Sequence, residues 1–244
     1  MRPDAVRLAL DAELAAVRRR RAGEPPRVLD VGGGSGVLAV PFAAAGCAVT
    51  VVEPNPNALA TLSRRAADAG VSDRITAVQA DSDALGDVVP AGSVDLVLAH
   101  GLLEVVDDPK HTVAAMAEAV APGGAVSVVV ANRMWALLHR AIAGRLDEAA
   151  MLAEDPAGRL PTETLQRRYD TDGLLALLTD AGLVAELVQG HGVLSELVPG
   201  SVLRQDSSAQ DALAALELRL APMPPLRDIA ARLHVVARRP PGES

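Results

Sequence analysis

The chain has almost no aromatic residues: Phe42, Trp135 and Tyr169 are the only three. Half of its 244 residues are hydrophobic, so its core must be assembled from Ala, Val and Leu. A single cysteine, Cys47, excludes an intrachain disulfide and suits a reducing cytoplasm. Lys110 is the only lysine, and arginine supplies every other positive side chain. That bias, with the abundant Ala, fits the base composition of the source genome better than a function. The net charge of −8 argues against broad, non-specific nucleic-acid binding, but leaves room for a local basic patch. No run of about 18 apolar residues occurs, so no transmembrane helix is expected. The N-terminal MRPDAVRLALDAELAAVRRRR is amphipathic, carries acids, and lacks the apolar core of a signal peptide. A cytoplasmic protein with no membrane partner and no metal is the expectation.

What is present is alternation. Val6, Leu10, Leu14 and Val17 are spaced for one face of a helix over residues 4–21, which GEPP at 23–26 breaks. RVLDV, AVTVVE, RITAVQAD, SVDLVLAH and AVSVVVAN then read as five short, Val-rich strands. Helices over 37–46, 55–70 and 111–121 fall between them. Strands that are apolar throughout belong to a parallel sheet covered on both faces, and ligands of such sheets lie at the carboxyl ends of the strands. Beyond residue 132 the pattern loosens: MWALLHRAIAGRL is helical, DPAGRLPTETLQRRYD is loop-like, and LLALLTDAG is a helix. VAELVQ is a sixth strand, AQDALAALELRLA a helix and RLHVVARR a last strand. The organisation expected is one α/β domain. It has an N-terminal helix (1–26), a ligand-binding core (27–132), a helical cap (133–183) and C-terminal strands and helices (184–240).

The chemistry begins at VLDVGGGSG, residues 28–36. A triphosphate loop would need a lysine after its last glycine, and none follows Gly36. A dinucleotide fingerprint would need glycine at the position of Val37, and Gly36 comes one residue too soon. The spacing present is D-x-G-x-G-x-G, from Asp30, Gly32, Gly34 and Gly36, with Gly33 filling the turn. Glu53 ends the second strand about 20 residues on, where an acidic partner for ribose hydroxyls belongs. Asp81 ends the third strand, followed by Ser82; an aspartate there can also cap a helix. His100 ends the fourth.

This set resembles the first motifs of the class I S-adenosylmethionine-dependent methyltransferases. The resemblance implies a seven-stranded, mostly parallel Rossmann-like sheet with S-adenosylmethionine as cofactor. It also implies roles for individual residues. Asp30 would sit near the cofactor's ammonium, the glycines against its carbon skeleton, and Asp81 and Ser82 against the adenine. His100 would lie where cofactor and methyl acceptor meet, as base or as orienting group. From His100 onward, HGLLEVVDDP, ANRMWALLHRAIAGRLDEA, RLPTETLQRRYDTDGLLALLTDAGL and ALAALELRLAPMPPLRDIAARLHVVARRP resemble the bacterial tRNA carboxymethoxyuridine methyltransferases. Members of that family esterify a carboxylate on a wobble uridine. Arg133, Arg168 and Tyr169 are then candidate acceptor-binding residues, with Arg219 as a weaker one and Arg7 as a partner for the cofactor's carboxylate. RRRR at 18–21 reads as a solvated helix end. With so few aromatics to stack on bases, the acceptor is open between tRNA and a small molecule.

Overall fold

The computed structural model describes residues 4–200 and 207–242. Asp4 opens the first helix, α1 (Ala5–Arg20), by accepting from the Arg7 N–H. Seven strands follow in one sheet: β1 (Arg27–Val31), β2 (Ala48–Val52), β3 (Ile75–Val78), β4 (Val94–His100), β5 (Val120–Ala131), β6 (Val184–His191) and β7 (Arg232–Arg238). Their spatial order is β3-β2-β1-β4-β5-β7-β6. The first five run parallel; β7 inserts antiparallel between β5 and β6. The direction of winding reverses between β1 and β4, so the crevice for a ligand lies above their carboxyl ends.

Further helices are α2 (Ala39–Ala44), α3 (Pro56–Asp68), α4 (Leu85–Val88), α5 (Pro109–Ala119), α6 (Arg133–Ile142), α7 (Leu146–Glu154), α8 (Thr171–Asp180) and α9 (Ser207–Leu220). Asn55 caps α3 and Asp108 caps α5, each ahead of a proline in the first turn. Alternation along each strand splits the core in two. Leu29, Val97, Val128 and Val235 face α5 and α8, through Val113, Met116, Leu174 and Leu178. Val28, Val51, Leu98 and Val236 face α1, α2 and α3, through Leu10, Leu14, Phe42 and Leu62. As the composition requires, the largest fully buried side chains are eleven leucines and Met116. Each buried leucine contributes roughly 1.5–3 kcal/mol of transfer free energy.

The third strand ends at Val78, three residues short of Asp81, which caps a 3-10 turn instead; other boundaries also differ from the sequence expectation. α2 begins at Ala39, because Gly32, Gly34 and Gly36 have φ of +67°, +54° and +78° and hold residues 32–38 as a turn. β5 starts at Val120, so the APGG turn is absorbed into the strand as an irregularity opposite Val94 and Leu96. Gly124 allows this, since a Cβ there would lie 2.8 Å from the Asp95 carbonyl oxygen. The stretch after Arg133 splits at Gly144 (φ +75°), making α7 a second cap helix that continues to Glu154. α6 and α7 close over their own small core of Ala136, Leu152 and Leu160.

Candidate active site

Asp30, one residue before the end of β1, has 3 % of its surface exposed. Its Oδ2 is buried with no hydrogen-bond partner among the described residues. Burial, and secondarily the nearby Glu53, pushes its pKa from 3.8 up to about 7. Glu53, just after β2, accepts from the Gly34 N–H through Oε2 at 3.0 Å and from the Asn55 N–H through Oε1 at 3.0 Å. It therefore ties the glycine turn to the start of α3.

The four glycines are required for different reasons. A Cβ on Gly33 would lie 2.6 Å from Asp30 Oδ2 and 2.9 Å from Val51 Cγ1. One on Gly32 would lie 2.8 Å from Leu102 Cδ1, and one on Gly36 would run into Leu62 Cδ1. These three accommodate the protein's own packing. Gly34 meets nothing within 4 Å, so its bareness and its left-handed φ leave backbone open to a ligand.

Asp30, Gly32, Gly33 and His100 line one cavity of about 800 Å³ at the carboxyl ends of β1, β4 and β5. Its other walls are Asp4, Val6, Arg7, Leu10 and Asp11 from α1 and its cap, Val37, Leu38 and Pro41, Val129, His191 and Arg232. Gly34, Gly36, Glu53, Asp81 and Ser82 lie outside this cavity. They continue the same edge of the sheet beyond β1, towards β2 and β3. Asp81 does act as a cap, accepting from the Asp83 N–H, and Ser82 Oγ donates to it at 3.2 Å.

His100 Nε2 is 2.9 Å from Ser127 Oγ. Burial, then the charges of His191 and Arg232, lower its pKa to about 4, so the ring is neutral at pH 7. Arg7 is held by Asp11 at 3.0 Å. Of the two arginines lining the cavity, Arg7 pairs with Asp11, while Arg232, exposed at the start of β7, has no ion-pair partner among the described residues.

Arg133, Arg168 and Tyr169 are not brought to this cavity, contrary to the sequence expectation. Arg168 is buried, pairs with Glu163 and donates to the Gly158 carbonyl. Arg133 pairs with Asp170 at 3.3 Å. Tyr169 donates its hydroxyl to the Leu103 carbonyl at 3.1 Å, and its phenol is pushed up to about 12, chiefly by burial. The two arginines tie the cap to itself, and the Tyr169 hydroxyl ties it to the segment after β4. Glu104 does similar work: it is buried and accepts from the Ala131 N–H at 2.7 Å. Arg219 lies in the last turn of α9 and is not among the cavity residues. Sequence reasoning missed Arg232, His191, Ser127, His234 and Gln189. Period-two alternation in RLHVVAR carried a signal, since it puts Arg232 and His234 on the same face as Val236.

A sheet of this order, with an acid near the end of β1 and a glycine turn over the switch point, defines the class I methyltransferases. The chain belongs to the methyltransferase-domain family, whose model matches residues 6–188. It is an S-adenosylmethionine-dependent enzyme. It is 27% identical over 216 residues to the tRNA 5-carboxymethoxyuridine methyltransferase of Escherichia coli K12, covering 88% of this chain and 80% of that one. It is 35% identical over 196 residues to a ubiquinone biosynthesis O-methyltransferase of Methylocella silvestris, covering 79% and 71%. A solved methyltransferase from Methanosarcina mazei shares the fold, with a TM-score of 0.62 at 17% identity over 90% of this chain and 94% of that one. The site fits the cofactor. Asp30 Oδ2 is an acceptor awaiting a cation, and Gly34 leaves the turn open above β1. No described helix is long and apolar enough to cross a membrane, and no described cluster of His, Cys, Asp and Glu could hold a metal.

Proposed function

We propose that this enzyme methylates a carboxylate of a small-molecule acceptor, forming an ester, and that Arg232 binds that carboxylate. The chain works as one domain, with residues 133–183 as a self-contained cap. The observation that carries the reading is Arg232, an arginine at the cavity with no acid within ion-pair distance among the described residues. A guanidinium is a two-pronged donor matched to a carboxylate. Bound S-adenosylmethionine supplies an electrophilic methyl group on a good leaving group. A carboxylate acceptor is already ionised at neutral pH, so the chain has only to align it and exclude water. Arg232 anchors it and His100 orients it. Asp30 takes the cofactor's ammonium, Arg7 its carboxylate, Glu53 the ribose hydroxyls, and Asp81 and Ser82 the adenine.

The charge distribution supports a small acceptor over tRNA. Asp4 and Asp11 stand at the cavity beside Arg7 and Arg232. The arginine run lies at the other end of α1, about 20 Å away for 13 residues of helix. There Arg18 donates to the Ala45 carbonyl, and Arg21 pairs with Glu24 and Asp95. Trp135 stacks on His139 in the cap, at 5.7 Å between ring centroids.

Transfer of labelled methyl from the cofactor to fractionated extract tests the proposal. The expected label sits in the small-molecule fraction and is released as methanol by mild alkali. Alkali-stable label sinks the ester reading, and label in tRNA sinks the small-acceptor reading. With the acceptor in hand, Arg232→Leu raises its KM about tenfold, the weight of one hydrogen bond to a charged group.

A further inference from the structure

His100 is the first member of a row of polar side chains that crosses four adjacent strands on the α1 face of the sheet. Ser127 on β5 lies 2.9 Å from His100 Nε2 and 2.9 Å from Nε2 of His234 on β7. Gln189 on β6, paired in register with His234, places its amide nitrogen 2.8 Å from His234 Nδ1. Ser127 and His234 have no exposed surface, and Gln189 is 6 % exposed. The two rings stand edge-on, 6.0 Å apart.

With the amide nitrogen of Gln189, and not its oxygen, against His234, the row has one consistent sense of donation. The Gln189 amide can only donate from its nitrogen, so His234 Nδ1 accepts and the ring proton sits on Nε2. That N–H donates to Ser127 Oγ, whose own hydroxyl proton is then directed at His100 Nε2. His100 accepts there and carries its proton on Nδ1, the ring nitrogen with no partner among the described residues. We propose that Gln189, Ser127 and His234 are positioning residues that fix the tautomer of His100, so that it offers an N–H donor and not a bare nitrogen to the cavity. Burial holds both rings neutral, with His100 lowered to about 4 and His234 to about 3, and only a neutral imidazole has a tautomer to be fixed. The consequence for the acceptor rests on the carboxylate reading: an N–H suits an oxygen that is already anionic, whereas a bare nitrogen would suit an acceptor that must lose a proton.

The test is ¹⁵N NMR of the histidine rings in the protein without cofactor or acceptor. It is run at about pH 8.5, above the ordinary histidine pKa. Wild type is expected to show His100 protonated at Nδ1 and His234 at Nε2. Gln189→Glu replaces the donor with an acceptor of the same shape and is expected to reverse both rings. Ser127→Ala cuts the row and is expected to leave His234 unchanged while His100 shows averaged signals; it serves if Gln189→Glu does not fold. His100 protonated at Nε2 in wild type, His234 reversing without His100, or no change in either variant would each overturn the proposal. In turnover, both variants are expected to lower kcat at least tenfold with the KM for S-adenosylmethionine unchanged. The carboxylate reading fails separately, by alkali-stable product, with the ring signals unaffected.

Discussion

Replacing Asp30 with asparagine should stabilise the cofactor-free protein and weaken cofactor binding, and the size of both effects follows from burial. A carboxyl that ionises near 7 when folded, against 3.8 ordinarily, binds its proton more tightly in the native state. Below about pH 4 it is protonated in both states and costs nothing. As the pH rises to 7 the unfolded chain ionises first, so stability drains away until the folded carboxyl also ionises, and the loss then stays constant. At 1.36 kcal/mol per pH unit the full loss is about 4 kcal/mol, which relaxation around the buried charge reduces to ~2 kcal/mol. Asparagine fills the same space without that penalty. Melting temperatures of the two proteins should therefore coincide near pH 4 and diverge towards pH 7.5, where the variant melts about 4–8 °C higher. Saturating S-adenosylmethionine should reverse the order, because its cation removes the penalty only where a carboxylate exists. A difference that is independent of pH between 4 and 8 would refute the idea that Asp30 is held protonated for want of a cation.

The glycine turn should separate stability from binding. Gly33→Ala forces a methyl against Asp30 and Val51, and should cost roughly 1–3 kcal/mol in urea unfolding. Gly34→Ala meets open space and should cost only the ~1 kcal/mol of its left-handed φ, yet weaken cofactor binding by calorimetry more than its effect on stability suggests. Equal effects of both on binding and stability would show that Gly34 faces no ligand. In the cap, Glu163 bonds both Arg140 and Arg168. Glu163→Gln leaves the buried Arg168 short of its counter-charge, and should cost about 3 kcal/mol. Limited proteolysis should detect it first, between residues 143 and 170, while the sheet still melts as in the wild type.

The strands could be read because a doubly covered sheet demands continuous apolar runs, as in DLVLA and VSVVVA, and little else produces them. Asp30, Gly32 and Gly33 could be read because a strand-to-turn junction over a ligand needs residues that no ordinary turn uses together. What could not be read were pairings that cross the sheet. Arg232 meets the cavity because β7 runs antiparallel and brings the start of that strand to the ligand edge. Nothing local in RLHVVARR announces that direction. Conversely, Arg133 and Arg168 carry the right chemistry close to the fifth strand, but Asp170 and Glu163 take up their charges. Asp170 is 37 residues from Arg133, and Glu163, though five from Arg168, meets it through an irregular loop with no periodic pattern to read.

The cavity's walls come from both ends of the sequence, with Arg7 on one side and Arg232 on the other. A nascent chain contains β1 to β5 and the glycine turn about 100 residues before Arg232 is added. It cannot complete the pocket until β7 has slotted between β5 and β6. A chain interrupted before β7 would lack Arg232 and with it one wall of the binding site.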